Sequence, residues 1–235
     1  RRILRRATSE VEFKFGGLSV TMPHKQTIMR YLDEIDETSR SIGAVNTVKV
    51  EEDKLIGYNT DALGFITPLK KACGDLKGAR VAIFGAGGAA RACIYALKNE
   101  GAAVTLFART PDKARSLADE FGIGLEQIPE TETEKPKAIF ANFDVLADAT
   151  PYGMGDLANE TLFTAEELRG LKFVYDLVTK QYDTPIIREA KLAGIPTIGG
   201  VEMLIAQGVD QFRIWTGEAV SENEMRANIM RGGAQ

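Results

Sequence analysis

Apolar positions in the first third of the chain come in short runs typical of strands and of one-sided helices. VNTVKV and KLIGYN flank the polar turn EEDK, and this arrangement predicts a β-hairpin over residues 45–59. Apolar residues at core-facing spacing predict a helix over residues 24–40, and a second helix is predicted from Asp61 to about Ala72. Short strand-like runs are also predicted within residues 11–22.

From Arg80 onward the pattern changes to strand, glycine turn, helix, strand and helix. RVAIF, AVTLFA, DVLADAT and KFVYDLV predict strands, PTIGG predicts a further short strand, and the segments after the first two predict helices. Alternation of this kind indicates an α/β fold with a mostly parallel sheet covered by helices on both faces. The polar stretch ETETEKPK, residues 130–137, predicts a surface loop.

The segment VEMLIAQGVDQFRIWTG predicts a long C-terminal helix. Gln207 and Gln211 interrupt its apolar stripe. An amide on an otherwise apolar face is either a surface residue or a group that reads a ligand, and the helix pattern alone favours the surface residue.

Composition narrows the functional classes. The 235 residues are 44% hydrophobic and 26% charged, as in an ordinary globular protein, and the net charge of -4 gives no reason to expect nucleic acid. No apolar run approaches the roughly 20 residues of a membrane helix. Cys73 and Cys93 lack CxxC spacing and predict reduced core residues, and with a single histidine they make a metal site improbable.

The motif GAGGAA, Gly85 to Ala90, follows a predicted strand and opens a predicted helix. It fits G-x-G-x-x-A, in which glycines make the tight turn and let backbone N–H groups approach a pyrophosphate at the helix N-terminus. A plain tight turn is the alternative. The strand–turn–helix context favours a dinucleotide site at Gly85, Ala86, Gly87, Gly88 and Ala89.

The end of the next predicted strand, LFARTPDK, indicates which dinucleotide. An NAD site normally has a carboxylate there for the ribose 2′-hydroxyl, and none is present. Arg109, Thr110 and Lys113 suit a 2′-phosphate instead, so NADP(H) is the predicted cofactor. The same residues also fit a solvated helix start with Thr110 as N-cap, and both interpretations can hold together.

Lys25, in VTMPHK, is the candidate proton donor. A hydride transfer to a carbonyl needs such a group near the developing alkoxide. A lysine after a proline turn is usually just solvated, but Asp61 in GYNTD and Asn46 in GAVNT also fall at ends of predicted elements. Together the three residues form a constellation able to read hydroxyl groups.

Six motifs in order, VTMPHK, GAVNT, GYNTDALG, GAGGAARA, ART and AQGVDQF, resemble those of the shikimate dehydrogenase family. The resemblance extends from about Phe15 to the C-terminal helix. It implies an NADP-dependent oxidoreductase of aromatic amino-acid biosynthesis that reversibly reduces 3-dehydroshikimate to shikimate. It also implies two domains, a doubly wound Rossmann-like NADP-binding domain at 74–200 and a discontinuous α/β substrate domain at 1–73 and 201–235.

The resemblance assigns roles to individual positions. Lys25 and Asp61 match the catalytic pair, while Glu37 falls near the cofactor and His24 has no matching partner, so we expect it to be structural or solvent-facing. Positions matching substrate contacts are Thr21, Asn46, Gln207 and, more weakly, Gln211. Positions matching cofactor contacts are Gly85, Ala86, Gly87, Gly88, Ala89, Arg109, Thr110, Lys113, Leu177 and Gly200.

The chain departs from the family pattern in three places. Ala108 stands where the family usually has asparagine, and Thr179 where it often has a substrate-contacting tyrosine, with Tyr182 three residues later. The family's first βα unit, about 30 residues with two carboxylate-binding hydroxyls, has no counterpart. We therefore expect weak or no activity from these 235 residues alone, and either a truncated chain or an upstream fused shikimate-pathway domain.

Two other functions stay open at this point. A quinate or dual quinate/shikimate dehydrogenase would share most motifs, and NAD use would favour it. A catalytically silent NADP-binding regulator would keep GAGGAA but lose the Lys25–Asp61 pair. The location is expected to be cytoplasmic, or plastid if a targeting segment precedes residue 1, and the only predicted ligands are a small-molecule substrate and NADP(H).

Overall fold

Two β-sheets with flanking helices organise the chain. A computed structural model describes residues 15–109, 111–128 and 139–232. Within these ranges, one sheet has four strands and the other has six. The α/β fold with two domains is thus confirmed, while the loop predicted at residues 130–137 lies outside the described residues.

The four-stranded sheet is mixed. Its spatial order is β1-β3-β4-β2; β3 runs antiparallel to β1 and β4, and β2 runs parallel to β4. Its strands are β1 (Gly17–Ser19), β2 (Glu34–Ile35), β3 (Thr47–Glu51) and β4 (Lys54–Tyr58). Glu52 and Asp53 both have positive φ, 46° and 62°, as a two-residue hairpin turn requires. The predicted hairpin is confirmed.

The prediction of one continuous helix over residues 24–40 is wrong, because a strand lies in the middle of this range. A 3-10 turn occupies Thr27–Tyr31, β2 follows, and only Glu37–Ile42 forms an α-helix, α1. Asp36 interrupts the pattern because its carboxylate accepts a hydrogen bond from the Ser39 N–H and caps α1. Pairing with β4 then holds the preceding residues extended, so tertiary contacts override the apolar spacing.

The six-stranded sheet is entirely parallel, in the order β10-β9-β8-β5-β6-β7. Its strands are β5 (Arg80–Phe84), β6 (Ala103–Ala108), β7 (Gly124–Gln127), β8 (Val145–Asp148), β9 (Phe173–Asp176) and β10 (Thr197–Ile198). The chain leaves β5 in the middle and returns on its other side through β8. Ligands of doubly wound sheets bind at such a reversal, beyond the carboxyl ends of the strands.

Helices cover the sheets and join them. They are α2 (Asp61–Cys73), α3 (Gly88–Asn99), α4 (Pro111–Phe121), α5 (Pro185–Leu192), α6 (Gly200–Thr216) and α7 (Glu222–Gly232). One core lies between the six-stranded sheet and helices α2, α3 and α4, and a second lies on the opposite face under α5. Phe65 of α2 stacks on Tyr175 of β9, with ring centroids 5.0 Å apart, and so links the two parts of the chain.

Helix α6 lies against the four-stranded sheet. The indole N–H of Trp215 donates to the carbonyl oxygen of Val48 in β3 at 3.0 Å. Helix α6 begins two residues after β10, so its start lies at the edge where the six parallel strands end. None of the helices in the described ranges has the length and apolar character needed to span a bilayer.

Candidate active site

Lys25 and Asp61 form an ion pair, with 2.6 Å between Nζ and Oδ2. Lys25 lies in the turn after β1, where its carbonyl oxygen accepts a hydrogen bond from the Val45 N–H at 2.8 Å. Asp61 is the first residue of α2, where the helix dipole favours a negative charge. The two side chains are 16% and 5% exposed, so the pair is shielded from water but open on the lysine side.

Asn59 fixes the start of α2. Its Oδ1 accepts hydrogen bonds from the N–H groups of Asp61 and Ala62 at 3.0 and 3.3 Å, and its Nδ2 donates to the Ala44 carbonyl at 2.9 Å. The backbone of Asp61 is thereby tied to the loop that also holds Lys25. Sequence reasoning missed Asn59, although an asparagine just before a predicted helix is a recognisable capping signal.

Asn46 is the centre of a buried hydrogen-bond network. Its Nδ2 lies 2.9 Å from Asp61 Oδ1, 2.9 Å from Thr60 Oγ1 and 3.0 Å from Gln207 Oε1. An amide has two N–H hydrogens, so three acceptors compete for two donors. We call Lys25, Asn46, Thr60, Asp61 and Gln207 the polar cluster.

Gln207 enters the polar cluster from α6. Its Oε1 faces Asn46 and lies 3.3 Å from Thr60 Oγ1, while its Nε2 donates to no other described residue. The free N–H₂ is therefore available to a ligand. Thr60 was missed by sequence reasoning, which did not distinguish it from the rest of the GYNTD motif.

Gln211 differs from Gln207 in that protein groups occupy its side-chain amide. This arrangement does not favour the direct substrate contact predicted for Gln211. It is only 6% exposed. Its Nε2 lies 2.8 Å from Thr47 Oγ1 and 3.4 Å from the Asn46 carbonyl, and its Oε1 accepts a hydrogen bond from Ser19 Oγ at 3.2 Å. Both ends of its amide are bound by protein.

Three other predicted positions lie at the surface. Thr21 and His24 are exposed, and the Thr21 carbonyl accepts the His24 N–H at 2.9 Å. Glu37 lies in the first turn of α1. None of the hydrogen bonds of the described residues links these three side chains to the polar cluster.

The predicted cofactor motif forms a turn at the carboxyl end of β5. We call residues 85–89 the glycine turn. Gly85 has φ 108°, and a Cβ there would lie 2.9 Å from the Ala149 carbonyl oxygen, so both conformation and space require glycine. Gly87 is the N-cap of α3, and an added Cβ would meet no protein atom within 4 Å. The turn is therefore tight towards the sheet and open outwards, as a pyrophosphate site requires.

Lys25 and the glycine turn are in contact. A Cβ at Gly88 would lie 3.1 Å from Lys25 Cβ and 3.4 Å from its Cδ. The aliphatic stem of the lysine thus packs on the first turn of α3. This contact brings the ion pair beside the predicted dinucleotide site.

Leu177 and Gly200 also meet at this edge. A Cβ at Gly200 would lie 2.5 Å from the Leu177 carbonyl oxygen and 2.6 Å from that of Val178. Helix α6 can begin here only because its first residue has no side chain. The two predicted cofactor positions are therefore close to each other, across the carboxyl ends of β9 and β10.

Arg109 lies at the end of β6 and is exposed. Its guanidinium carbon is 5.3 Å from the ring centroid of Tyr152, a distance that permits a cation–π contact. Tyr152 follows β8, and nothing in the sequence pattern singled it out. Thr110 and the side chain of Lys113 lie outside the described residues, so their predicted roles stay predictions.

Two buried carboxyl groups end adjacent strands beside the glycine turn. Asp148 and Asp176 are paired in the register of β8 and β9. Burial and the neighbouring Asp176 raise the pKa of Asp148 to about 7, and burial raises the pKa of Asp176 to about 6. Asp176 accepts hydrogen bonds from the Thr184 hydroxyl and, at 2.9 Å, from the Val178 N–H.

Three family models match successive parts of the chain. The shikimate dehydrogenase substrate binding domain matches residues 3–48, shikimate / quinate 5-dehydrogenase residues 68–174, and the shikimate 5'-dehydrogenase C-terminal domain residues 200–230. Shikimate dehydrogenase (NADP(+)) of Methanocaldococcus jannaschii is 41% identical over 204 residues, which are 86% of this chain and 72% of that protein. The chain belongs to the shikimate dehydrogenase family.

Solved structures of the shikimate dehydrogenase family have the same fold. Shikimate 5-dehydrogenase from Thermus thermophilus, in complex with NADP(H) and shikimate, superposes with a TM-score of 0.83 at 34% identity, covering 98% of this chain and 84% of that one. A chorismate mutase/shikimate 5-dehydrogenase fusion protein from Clostridium acetobutylicum gives a TM-score of 0.81 at 29% identity, with coverage of 92% and 78%. A fused arrangement therefore exists within the shikimate dehydrogenase family.

Proposed function

We propose that this protein is an NADP-dependent shikimate dehydrogenase that reversibly reduces the C3 carbonyl of 3-dehydroshikimate. The observation that carries the proposal is the contact between the stem of Lys25 and Gly88 of the glycine turn, with Asp61 paired to the same lysine. It brings a proton donor beside a dinucleotide turn. NADPH, when bound, supplies the hydride.

Lys25 is the proposed proton donor. Asp61 uses one of the three ammonium hydrogens, and two remain for the substrate oxygen. An ammonium hydrogen bond stabilises the negative charge that develops on that oxygen as the hydride arrives. In the reverse direction the neutral amine accepts the proton of the C3 hydroxyl.

Asp61, Asn46 and Gln207 are the proposed readers of the ring hydroxyls. Three acceptors surround the two hydrogens of the Asn46 amide, so one acceptor lacks a donor from the protein. A ligand hydroxyl that donates a hydrogen bond would satisfy this acceptor. The free Nε2 of Gln207 donates to a hydroxyl oxygen in the same place. A polyhydroxylated ring fits both requirements.

The residues at the end of β6 support NADP(H) rather than NAD(H) as the cofactor. The strand and the residue after it read Phe107, Ala108 and Arg109, without a carboxylate for the ribose 2′-hydroxyl. Arg109 is exposed and has its guanidinium available to a 2′-phosphate. The Methanocaldococcus jannaschii relative carries NADP in its name, and the Thermus thermophilus structure is a complex with NADP(H).

The test is NADP-dependent oxidation of shikimate, followed by the absorbance of the reduced nicotinamide, with NAD and quinate as parallel conditions. Turnover with NADP and shikimate well above the other combinations is the expected result. Higher kcat/KM with quinate would replace the proposal by a quinate dehydrogenase. NADPH binding with no turnover of either acid, both in these 235 residues and in a chain that includes the family's first βα unit, would favour a silent regulator.

A fused upstream domain and a cytoplasmic location stay predictions. The Clostridium acetobutylicum fusion supports the first as an arrangement compatible with the family. The mass of the native protein, measured on material from its source cells after fractionation, tests both together.

A further inference from the structure

Gln211 is buried one helical turn after Gln207 and faces the same side of α6. Its side-chain amide reaches two strands, since it accepts from Ser19 of β1 and donates to Thr47 of β3. Ser19 and Thr47 are themselves register partners. The amide therefore closes a link between the helix and both strands, directly behind the polar cluster.

The bond from Gln211 fixes the direction of the next hydrogen bond. The Thr47 hydroxyl accepts the Gln211 N–H at 2.8 Å, and it has a single hydrogen of its own. That hydrogen points to Asn46 Oδ1, which is 2.8 Å away. Gln211 thus makes Thr47 a donor towards Asn46 rather than towards α6.

Asn46 Oδ1 then receives the Thr47 hydroxyl together with the Thr60 N–H, at 2.8 Å each. These two donors, together with the Thr60 hydroxyl at 3.3 Å, leave the nitrogen end of the amide facing Asp61 and Gln207. The reversed amide would direct its oxygen at the Asp61 carboxylate, where two acceptors repel each other. The orientation of Asn46 therefore follows from donors that lie behind it.

We propose that Gln211 is a positioning residue that acts through Thr47 on the amide of Asn46, and so holds the carboxylate of Asp61 in place against Lys25. It touches no reacting atom. The proposal deepens the proposed function, since it concerns the same catalytic pair and rests on it.

A simpler role for Gln211 is to dock α6 on the four-stranded sheet. Trp215, on the same helix, makes such a docking bond to the Val48 carbonyl, outside the chain of bonds that leads to Asn46. Trp215→Phe is therefore the matched control. It removes one bond between α6 and β3 without touching Thr47 or Asn46.

The kinetic experiment is a double-mutant cycle with Gln211→Met and Thr47→Val, both close in volume to the residues they replace. Gln211→Met is expected to lower kcat for shikimate about tenfold, because a small misplacement of catalytic groups costs up to about 100-fold. The KM for NADP should stay within about twofold, since the glycine turn is untouched. Adding Gln211→Met to Thr47→Val should lower kcat no further, because both act through one hydroxyl.

Gln211→Glu gives a second, nearly isosteric variant. A carboxylate accepts the Thr47 hydroxyl hydrogen and so withdraws it from Asn46, which predicts a loss of kcat like that of Gln211→Met. Trp215→Phe should lower the melting temperature while kcat stays within about twofold. Multiplying effects in the cycle, or an unchanged kcat in both Gln211 variants, would overturn the proposal.

Crystal structures of the wild type and Gln211→Met separate this proposal from the proposed function. A rotated Asn46 amide and a lengthened contact between Lys25 Nζ and Asp61 Oδ2 in the variant would support positioning, even for a protein that does not oxidise shikimate. An unchanged Asn46 would overturn positioning whatever the activity. Absence of shikimate turnover in the wild type counts against the proposed function alone.

Discussion

The polar cluster is built from side chains that bind one another, whereas the glycine turn presents backbone groups. Asn46, at the centre of the cluster, is 2% exposed and has more acceptors around its amide nitrogen than hydrogens to give them. Gly87, at the outside of the turn, has no protein atom within 4 Å of the place where a Cβ would stand. One region depends on which side chains are present, and the other depends on their absence.

The carboxylates of the two regions differ in the same way. Asp61 is paired with the cation of Lys25. Asp148, beside the glycine turn, has Asp176 as its register partner and no cation within ion-pair distance in the described ranges. The negative charge of Asp61 is therefore compensated by Lys25. A negative charge on Asp148 is disfavoured by burial and by the neighbouring Asp176.

Lys25→Met should have the largest effect, because it removes the ammonium and keeps the stem that packs on Gly88. We expect kcat/KM for shikimate to fall about 1000-fold, the range of a lost proton donor. NADPH affinity, measured by nicotinamide fluorescence, should stay within about threefold, since no bond to the turn is lost. Equal losses in catalysis and in NADPH binding would mean that the two regions do not have separate roles.

Arg109→Ala should change cofactor choice without changing the chemistry. Losing a charge-assisted bond to a phosphate costs about 1.5–3 kcal/mol, so the preference for NADP over NAD in kcat/KM should fall ~10- to 100-fold. Tyr152→Leu removes the ring beside Arg109 and should shift the same ratio in the same direction by less. An unchanged ratio in Arg109→Ala would show that the 2′-phosphate is read elsewhere.

Asp148→Asn should stabilise the protein at alkaline pH. The pKa of Asp148 is raised from 3.8 to about 7, so the folded state holds a proton that the unfolded state releases, and stability falls as pH rises through that window. Asparagine keeps an acceptor for the Thr150 N–H but leaves its own N–H₂ unpaired, a cost that does not depend on pH, so we expect a gain of about 2 kcal/mol at pH 8 and a loss of about the same size at pH 4. Urea unfolding at both pH values measures the difference.

Asp144→Asn is the control for that experiment. Asp144 precedes β8 and accepts the Arg80 N–H at 2.8 Å, a bond that together with Lys172 lowers its pKa. Its carboxylate therefore stabilises the fold above its ordinary pKa, and the substitution should reduce stability at pH 8. A gain in both variants would point to net charge rather than to the Asp148–Asp176 pair.

Gly87→Ala should have the smallest effect on the free protein. Its Cβ has room, so the free energy of unfolding should change by no more than about 1 kcal/mol, the cost of alanine at an N-cap. It should weaken NADPH about tenfold, because a methyl group keeps the pyrophosphate from one backbone N–H. Gly200→Ala, whose Cβ would meet the Leu177 carbonyl at 2.5 Å, should instead lower the melting temperature. Equal stabilities of the two variants would contradict the distinction between outer and inner glycines.

Local signals in the sequence predicted the parts of the fold that depend on neighbours along the chain. The hairpin of β3 and β4, helices α2 and α6 and the glycine turn all follow from alternation, apolar spacing or turn residues. β7 was not predicted because it is a short polar edge strand, GLEQ, with almost no apolar alternation. Residues 34–35 were assigned to a helix because the pattern could not show their pairing with β4.

The candidate site was predicted only as far as its motifs reach. Lys25, Asp61 and the glycine turn stand in recognisable patterns, and the structure brings them together. The roles of Thr47 and Gln211 depend on how α6 docks on β3, because these two residues are 164 positions apart in the sequence. Tyr152 beside Arg109 likewise depends on strand order, since β8 and β6 flank β5 only in space.

The packing of Lys25 on Gly88 limits how the two halves of such an enzyme can be exchanged between relatives. In a chimaera that joins this substrate half to a foreign dinucleotide-binding half, the residue at position 88 sets the closest approach of the lysine stem. A donor half with a larger residue there would press on the lysine stem and displace its ammonium from Asp61. Compatibility of recombined halves therefore depends on the size of one side chain at their junction.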